Sequence, residues 1–346
     1  MIYNKLGNTD IDVSALCLGS MTWGEQNSAA EAFEQMDIAL EHGINFFDTA
    51  ELYAIPPKAA TYGATERIIG DWFKQTGRRD DIFLASKVCG PTAWCPHIRH
   101  GEARLDRKNI IAACEASLSR LQTDHIDLYQ THWPNRNTNF FGRLGYQHTN
   151  DTDETSIEET LDAMQELITA GKVRHIGISN ETPWGMMQHL QISQHKTLPR
   201  IASIQNPYNL LNRSFEIGLA EISCREQVGL LAYSPLAFGV LSGKYLHGKQ
   251  PKDGRITLFD QYTRYNNTEA NLATEAYIAV ANQHGLDPAQ MALAFIRQQA
   301  FVSSTIIGAT TTAQLLSNIN SLNITLSAAC LSDIDAIHQK QPNPCP

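Results

Sequence analysis

Four residues with complementary chemistry stand at or just beyond the ends of short apolar runs: Asp48, Tyr53, Lys87 and His132. A tyrosine hydroxyl, with an ordinary pKa of about 10, is a weak acid at neutral pH. A neighbouring ammonium favours the phenolate and lowers that pKa, which makes the proton easier to donate. Lys87 would supply this charge with Asp48 as its ion-pair partner, and His132 would donate a hydrogen bond to a substrate carbonyl. The four residues predict an acid catalyst, provided that the fold brings them together.

The elements that must position these residues are short apolar runs that alternate with longer segments of helical period. This alternation is typical of repeated β-α units around parallel strands. Strands are predicted at residues 16–20, 45–49, 82–88, 126–132, 173–179, 203–207, 229–234 and 304–308. Helices are predicted at residues 29–42, 65–75, 108–120 and 157–170, with Asp106 as the N-cap of the third and Gly171 as the C-cap of the fourth.

Eight strands that alternate with helices predict an α/β fold, a (β/α)8 TIM barrel. The alternative is a doubly wound open sheet, which usually carries an early glycine-rich phosphate turn. Gly19 opens the run Gly-Ser-Met-Thr-Trp-Gly, which lacks the G-x-G-x-x-G spacing of that turn. The barrel is therefore favoured, and residues 1–346 are expected to form a single domain.

Two features lie outside the repeated units. Residues 1–13 alternate apolar and polar side chains around Gly7-Asn8, which predicts an N-terminal β-hairpin. Long connections follow the third, fourth and seventh predicted strands, at residues 89–107, 133–155 and 236–270. Loops of this length in a compact domain are usually functional, and after a barrel strand they are expected on the C-terminal, catalytic face.

The composition argues against several classes of protein. The net charge is −9, which disfavours nonspecific nucleic-acid binding. Seven scattered cysteines without a CxxC pair are typical of a reduced compartment. The first residues do not have the pattern of a signal peptide, and no apolar stretch approaches the roughly 20 residues that a spanning helix needs. A cytoplasmic protein without a membrane or nucleic-acid partner is therefore expected.

The ordered set of motifs resembles the aldo-keto reductases, and most closely their bacterial Tas-type branch. The resemblance begins with the Asp-x4-Tyr, Ser-Lys and Gln-x-His elements at the predicted strand ends. It continues through GISN at 177–180, LNRSFE at 211–216, YSPL at 233–236 and IGAT at 307–310, and includes GEQN at 24–27. It implies an oxidoreductase in which hydride passes from nicotinamide C4 of NADPH to a carbonyl carbon, while Tyr53 delivers a proton to the oxygen.

The same resemblance assigns residues to the cofactor. Ser179, Asn180 and Gln205 would hold the nicotinamide carboxamide, and Tyr233 would stack on the nicotinamide ring. The remaining predicted contacts are Ser234, Leu236, Lys244 and Arg255 at the pyrophosphate, Gly308, Thr310, Gln314 and Asn318 at the adenosine, and also Gly19 and Met21. Threonines 310–312 stand where many relatives place a Lys or Arg for the 2′-phosphate, so NADH is possible beside NADPH.

The substrate end of the site is less constrained by the sequence. A small-molecule carbonyl compound is expected, with Trp23 and Trp133 lining its pocket, while roles for Trp94, Phe140 and Phe141 stay open. The run Cys95-Pro-His97-Ile-Arg-His100, with Cys89 nearby, fits no common zinc module, and no metal is expected. The physiological substrate and the oligomeric state are not predicted.

A second function from another class stays open. The resemblance extends to potassium-channel β subunits, in which such a barrel docks on a partner. The alternative is therefore a nucleotide-sensing regulatory subunit, and a third reading is a protein that holds NADPH without useful turnover. A complete set of four catalytic residues favours the enzyme.

Overall fold

The apolar runs form a closed barrel of eight parallel strands in the computed structural model, which describes residues 1–149 and 154–346. An antiparallel pair precedes the barrel and consists of β1 (Tyr3–Lys5) and β2 (Asp12–Ser14). The barrel strands are β3 (Leu16–Gly19), β4 (Phe46–Asp48), β5 (Phe83–Val88), β6 (Ile126–Thr131), β7 (Val173–Ser179), β8 (Ile201–Pro207), β9 (Gly229–Tyr233) and β10 (Val302–Ile307). Each strand pairs with the next in the chain, and β10 closes the ring against β3.

The barrel, the hairpin and all eight predicted strands are confirmed, with bounds that differ by one or two residues at most. The largest differences are at β8 and β10, which both begin two residues earlier than predicted. These first residues continue the pairing with neighbouring strands. Part of the predicted connection 133–155, residues 150–153, lies outside the described residues.

Most of the helices surround the barrel and cover the outer faces of its strands. They are α1 (Ala29–Glu41), α2 (Ala64–Thr76), α3 (Arg107–Leu121), α4 (Ile157–Thr169), α5 (Pro183–Lys196), α6 (Leu219–Glu226), α7 (Arg255–Leu258), α8 (Thr268–Gln283), α9 (Pro288–Arg297), α10 (Thr312–Asn320) and α11 (Ala328–Lys340). Asp106 caps α3 as predicted, because its carboxylate accepts from the backbone N–H of Asn109 at 2.8 Å. The prediction for Gly171 is wrong by one residue: Ala170 is the C-cap of α4, and Gly171 follows with a φ of 73°.

The interior of the barrel is a buried apolar layer below the catalytic end. Seven of its strands contribute one residue each to this layer, and the hairpin adds Leu6 and Val13. Phe46 of β4 and Ala85 of β5 belong to it. Because alternate residues of a strand point to the same face, Asp48 and Lys87 are placed on the inner face two positions further along. The alternation of side chains along β4 and β5 thus places Asp48 and Lys87 directly above the buried apolar layer.

We expect Asp127, near the start of β6, to be a main source of stability at the opposite end of the barrel. Its carboxylate is 2% exposed and accepts from Arg79 at 2.7 Å, Arg174 at 2.9 Å and the backbone N–H of Leu84 at 2.9 Å. Asp127→Ala leaves these donors without their acceptor, and the free energy of unfolding should fall by about 3 kcal/mol in urea denaturation. The matched control is Asp12→Ala, which breaks the exposed Lys5–Asp12 pair. It should lower the free energy of unfolding by only about 0–1 kcal/mol. Equal losses in the two variants would contradict this expectation.

Candidate active site

A cavity of about 1110 Å³ lies at the carboxyl ends of the barrel strands. Its wall includes Asp48, Tyr53 and His132, together with every residue predicted for the cofactor: Gly19, Met21, Ser179, Asn180, Gln205, Tyr233, Ser234, Leu236, Lys244, Arg255, Gly308, Thr310, Gln314 and Asn318. Ligand cavities usually measure about 300–1,000 Å³. This cavity lies just above that range, so it suits a large ligand.

Lys87 lies fully buried below the cavity wall and joins Asp48 to Tyr53. Its Nζ donates to Oδ2 of Asp48 at 2.6 Å and to the backbone oxygen of Thr49 at 2.8 Å. The same ammonium lies 3.4 Å from the hydroxyl of Tyr53 and 4.9 Å from the centre of its ring. The ring of His132 packs edge-on against that of Tyr53, with 5.8 Å between centroids. The structure thus brings together all four residues predicted for catalysis.

The second oxygen of Asp48 is held by two glutamine amides. Gln205 donates to Oδ1 of Asp48 at 2.8 Å, and Gln130 donates to the same oxygen at 3.4 Å. Gln130 was not among the predicted site residues, although it stands two positions before His132. It follows Leu128 of the buried apolar layer by two residues, as Lys87 follows Ala85, so both side chains point into the barrel just above that layer. Gln205 thus also orients the carboxylate that holds Lys87.

Burial decides the protonation states at the centre of the site. It raises the pKa of Tyr53 more than the Lys87 ammonium lowers it, so this pKa lies above its ordinary value. The expectation of a phenol more acidic than ordinary is therefore wrong in this state of the protein, although Lys87 acts in the predicted direction. Burial and the charge of Lys87 hold the pKa of His132 well below its usual range. The imidazole is therefore neutral at neutral pH, and the Tyr53 hydroxyl keeps its proton.

A chain of hydrogen bonds connects the residues predicted to hold the nicotinamide. The hydroxyl of Tyr233 donates to Oδ1 of Asn180 at 2.6 Å, and Nδ2 of Asn180 donates to the backbone oxygen of His132 at 2.9 Å. The hydroxyl of Ser179 donates to the backbone oxygen of Gln205 at 2.7 Å. Asn180 has a φ of 54°, a left-handed conformation that asparagine tolerates better than most residues. The chain fixes these side chains relative to His132.

Two neighbouring cations, Lys244 and Arg255, line the cavity. Within residues 1–149 and 154–346, neither Lys244 nor Arg255 forms an ion pair with an aspartate or glutamate; Arg255 contacts Sδ of Met21 and the ring of Phe238. Burial lowers the pKa of both groups, and the charge of Arg255 lowers that of Lys244 further. Gly239 provides the space, because a Cβ there would lie 2.7 Å from Lys244. Two neighbouring desolvated cations without counter-ions suit an anionic ligand.

The residues at the start of α10 form another part of the cavity wall. An added Cβ on Gly308 would meet no atom within 4 Å, so the backbone there is open to the cavity. Thr310 donates through both its backbone N–H and its hydroxyl to Oε1 of Gln314, at 3.0 and 3.1 Å. Asn318 donates to the backbone oxygen of Gly308 at 3.3 Å. An open turn at a helix N-terminus, bordered by amides, suits the phosphate and adenine of a nucleotide.

The prediction for the substrate pocket needs correction, because neither Trp23 nor Trp133 is part of the cavity wall. Trp23 is fully buried and its indole N–H donates to Gln35 of α1 at 3.1 Å. Trp133 is 1% exposed and packs behind His132, with 4.9 Å between ring centroids. Three large apolar residues that line the cavity are well exposed: Trp94, Phe141 and Leu144. We call these three residues the apolar rim.

Glu51, which sequence reasoning did not single out, anchors the loop that carries Trp94. It is fully buried and accepts a bidentate pair from Arg99 at 2.7 and 2.8 Å, and also the backbone N–H of Cys89 at 2.6 Å. It lies between Asp48 and Tyr53 in the chain. The contact thus links the catalytic segment directly to one side of the apolar rim.

Within residues 1–149 and 154–346, no three Cys, His, Asp or Glu side chains are arranged to hold a metal ion. The Cys95 thiol lies 3.3 Å from Nε2 of His97, and both face the buried cluster around Leu52 and Cys89. Among the helices of the described ranges, none is long and apolar enough to span a membrane.

Comparisons with known proteins agree with a barrel oxidoreductase. The model of the Aldo/keto reductase family matches residues 15–339. Protein tas of Escherichia coli (strain K12) is 51% identical over 346 residues, which are 100% of both chains. The uncharacterized oxidoreductase YrpG of Bacillus subtilis is 33% identical and covers 97% of this chain and 96% of its own. A probable voltage-gated potassium channel subunit beta of Arabidopsis thaliana is 29% identical and covers 99% and 98%. The chain belongs to the aldo/keto reductase family of oxidoreductases.

Proposed function

We propose that this protein reduces an aldehyde or ketone to an alcohol with NADPH, and that Tyr53 is the proton donor. The observation that carries the proposal is the buried Asp48–Lys87 pair beneath the hydroxyl of Tyr53, beside the neutral imidazole of His132. The substrate partner would be a small carbonyl compound, and the cytoplasm remains the location predicted from the sequence.

The residues of the cavity fit a nicotinamide dinucleotide. Lys244 and Arg255 would bind its pyrophosphate, and the open turn at Gly308 would accept the adenosine end. Ser179, Asn180 and Gln205 would hold the carboxamide beside Tyr233. When bound, the cofactor supplies the hydride that the carbonyl carbon receives.

Each catalytic side chain has a separate task in this mechanism. Neutral His132 donates an N–H to the substrate oxygen and orients it toward Tyr53. The phenol then gives its proton to that oxygen as negative charge develops, and the Lys87 ammonium 3.4 Å away stabilises the resulting phenolate. Asp48 holds Lys87, while Gln205 and Gln130 hold Asp48.

The preference for NADPH over NADH is supported by family membership more than by local charge. The hydroxyl of Thr310 bonds to Gln314, and that of Thr311 caps α10. Threonine hydroxyls can hydrogen-bond a 2′-phosphate but do not balance its charge. A modest preference for NADPH is therefore proposed, with NADH as a weaker alternative.

The direct test is oxidation of NADPH by an activated aromatic aldehyde, with NADH in parallel and cofactor binding measured by tryptophan fluorescence. Turnover with the aldehyde supports the reductase. Cofactor binding without turnover across a panel of aldehydes and ketones would overturn it. A nucleotide-sensing regulatory subunit would then be favoured, which is the alternative suggested by the similarity to a potassium channel subunit.

We expect the Glu51–Arg99 pair to control how the substrate is held. Arg99→Lys keeps the positive charge but loses the bidentate geometry, so the loop with Trp94 should loosen. The KM for an aromatic aldehyde should rise by roughly tenfold, about 1.4 kcal/mol, with a smaller change in kcat. The matched control is Arg107→Lys, because Arg107 makes a bidentate pair with Glu166 on the exposed surface. A larger rise of KM in the control would contradict this role.

A further inference from the structure

An ion pair between Arg136 and Glu181 ties the turn after β7, which carries Asn180, to the loop after β6. The carboxylate accepts two N–H groups of the guanidinium: Oε2 from Nη1 at 2.9 Å, and Oε1 from Nη2. The side chain of Glu181 is 3% exposed and that of Arg136 is 16% exposed. Neither side chain is part of the cavity wall. The pair can therefore affect a reaction in the cavity only through the residues that it holds.

The start of α5 packs closely on this pair and fixes its arrangement. Thr182 donates its backbone N–H to Oε1 of Glu181 at 2.6 Å, and its hydroxyl accepts from Nη2 of Arg136 at 3.0 Å. An added Cβ on Gly185 would overlap both the carboxylate and the guanidinium. The guanidinium also lies 4.9 Å from the ring centre of Trp184. These contacts hold the two side chains in one geometry.

The backbone of the same turn is bound to β8. The N–H of Glu181 donates to Oδ1 of Asn206 at 3.1 Å, and Nδ2 of Asn206 donates to the backbone oxygen of Glu181 at 2.9 Å. The N–H of Asn180 donates to the backbone oxygen of Gln205 at 3.0 Å. Asn180 itself has a left-handed φ of 54°, a conformation that a non-glycine residue keeps when its surroundings hold it. The turn is thus held by β8 on one side and by Arg136 on the other.

The other end of the pair is close in the chain to a catalytic residue. Arg136 stands four positions after His132, and Nδ2 of Asn180 donates to the backbone oxygen of His132 at 2.9 Å. Two connections therefore join the turn after β7 to the loop after β6, one through Asn180 and one through Glu181. In the proposed function, His132 orients the substrate carbonyl and Asn180 holds the nicotinamide carboxamide. The distance between the two reacting groups depends on how these segments are held together.

We propose that Arg136 and Glu181 are positioning residues for hydride transfer, which rests on the proposed function. The pair fixes Asn180 relative to His132, and so fixes the nicotinamide relative to the carbonyl carbon. Reaction rates depend steeply on such alignment, and a displacement of about 1 Å can cost roughly a hundredfold. A lysine at position 136 would keep the positive charge but could not offer two N–H groups in a fixed fork. Arg136→Lys should therefore let the turn shift without leaving Glu181 unpaired.

The test measures hydride transfer in a single turnover. The complex of the protein with NADPH is mixed with saturating 4-nitrobenzaldehyde in a stopped-flow instrument, and the first-order rate constant is read from the loss of NADPH absorbance. Arg136→Lys should lower this rate constant by roughly ten- to a hundredfold. NADPH deuterated at the transferred position should slow the variant further, which shows that hydride transfer is the step affected. The rate constant does not depend on the folded fraction of the protein, so partial misfolding would leave it unchanged.

The matched control is Arg213→Lys, in a second bidentate pair that also lies away from the cavity wall. Arg213 donates to the two carboxylate oxygens of Glu216 at 2.7 and 2.9 Å, is 10% exposed and lies 5.0 Å from the ring centre of Phe295. This variant loses the same fork at a comparable depth of burial. Its single-turnover rate constant should stay at the wild-type value, and its affinity for NADPH should also be unchanged.

Glu181→Gln provides a second variant, because it keeps the shape of the side chain but leaves one acceptor oxygen for the guanidinium. It should slow the single turnover in the same direction. A wild-type rate constant in either variant, or an equal fall in Arg213→Lys, overturns the positioning role, while turnover by the wild type leaves the reductase intact. Failure of the wild type to oxidise NADPH with any aldehyde or ketone overturns the proposed function, and the positioning role with it.

Discussion

Tyr53→Phe should reduce kcat for carbonyl reduction by roughly 10²–10⁴-fold, because it removes the proposed proton donor and little else. The phenylalanine ring can pack against His132 as the tyrosine ring does, and it can keep the same place above the Lys87 ammonium. The Asp48–Lys87 pair would remain at 2.6 Å, so the cofactor side of the cavity should be unchanged. Steady-state kinetics with an aromatic aldehyde should therefore show the loss in kcat, while fluorescence titration shows NADPH binding close to that of the wild type.

The matched control for this variant is Tyr129→Phe in β6. Tyr129 is also fully buried, and within residues 1–149 and 154–346 its hydroxyl has no hydrogen-bond partner, but it belongs to the outer core and not to the cavity. The same chemical change there should leave kcat within about twofold, since no polar contact is lost. A kcat of Tyr53→Phe near that of this control would show that another group delivers the proton.

The fold could be predicted because its signals are local. Each strand is a short apolar run, and the alternation of inward side chains places Asp48 two residues above Phe46 and Lys87 two above Ala85. Because parallel strands end on one face, their last residues must be neighbours there. Asp48 and Lys87 therefore follow from the strands alone, and His132 is the first residue after β6, whereas the position of Tyr53 depends on the loop that follows β4.

The paths of the loops and the energetics of burial could not be predicted in this way. Trp23 lies on a loop above the barrel, but its side chain turns inward to Gln35, which no periodic pattern indicates. Glu51 and Arg99 are 48 positions apart, so their pairing depends on how a long connection folds back. The pKa of Tyr53 depends on the balance between Lys87 and burial, and its sign requires the packed environment.

Lys87→Met should abolish most of the activity and also destabilise the protein, because Asp48 would become an unpaired buried carboxylate. Lys87 is fully buried, Asp48 is 2% exposed, and the amides of Gln205 and Gln130 would remain as neutral donors to the charge. Loss of one partner of such a pair costs about 3–5 kcal/mol, which urea denaturation would measure at neutral pH. The exposed control Lys5→Met should lose about 0–1 kcal/mol.

Lys87→Met is expected to lower both the stability and the activity, and two measurements separate these effects: the pH dependence of stability and a double variant. Without the ammonium, burial penalises the charged form of the Asp48 carboxylate in the folded protein. Protonation at low pH removes that penalty, so the loss of stability should shrink as the pH falls and grow as the pH rises. Lys87→Met combined with Asp48→Asn removes the unpaired charge and should recover much of the stability at neutral pH. Activity should stay low in the double variant, because no ammonium then stabilises the phenolate of Tyr53. Recovery of both stability and kcat would show that the pair serves folding alone.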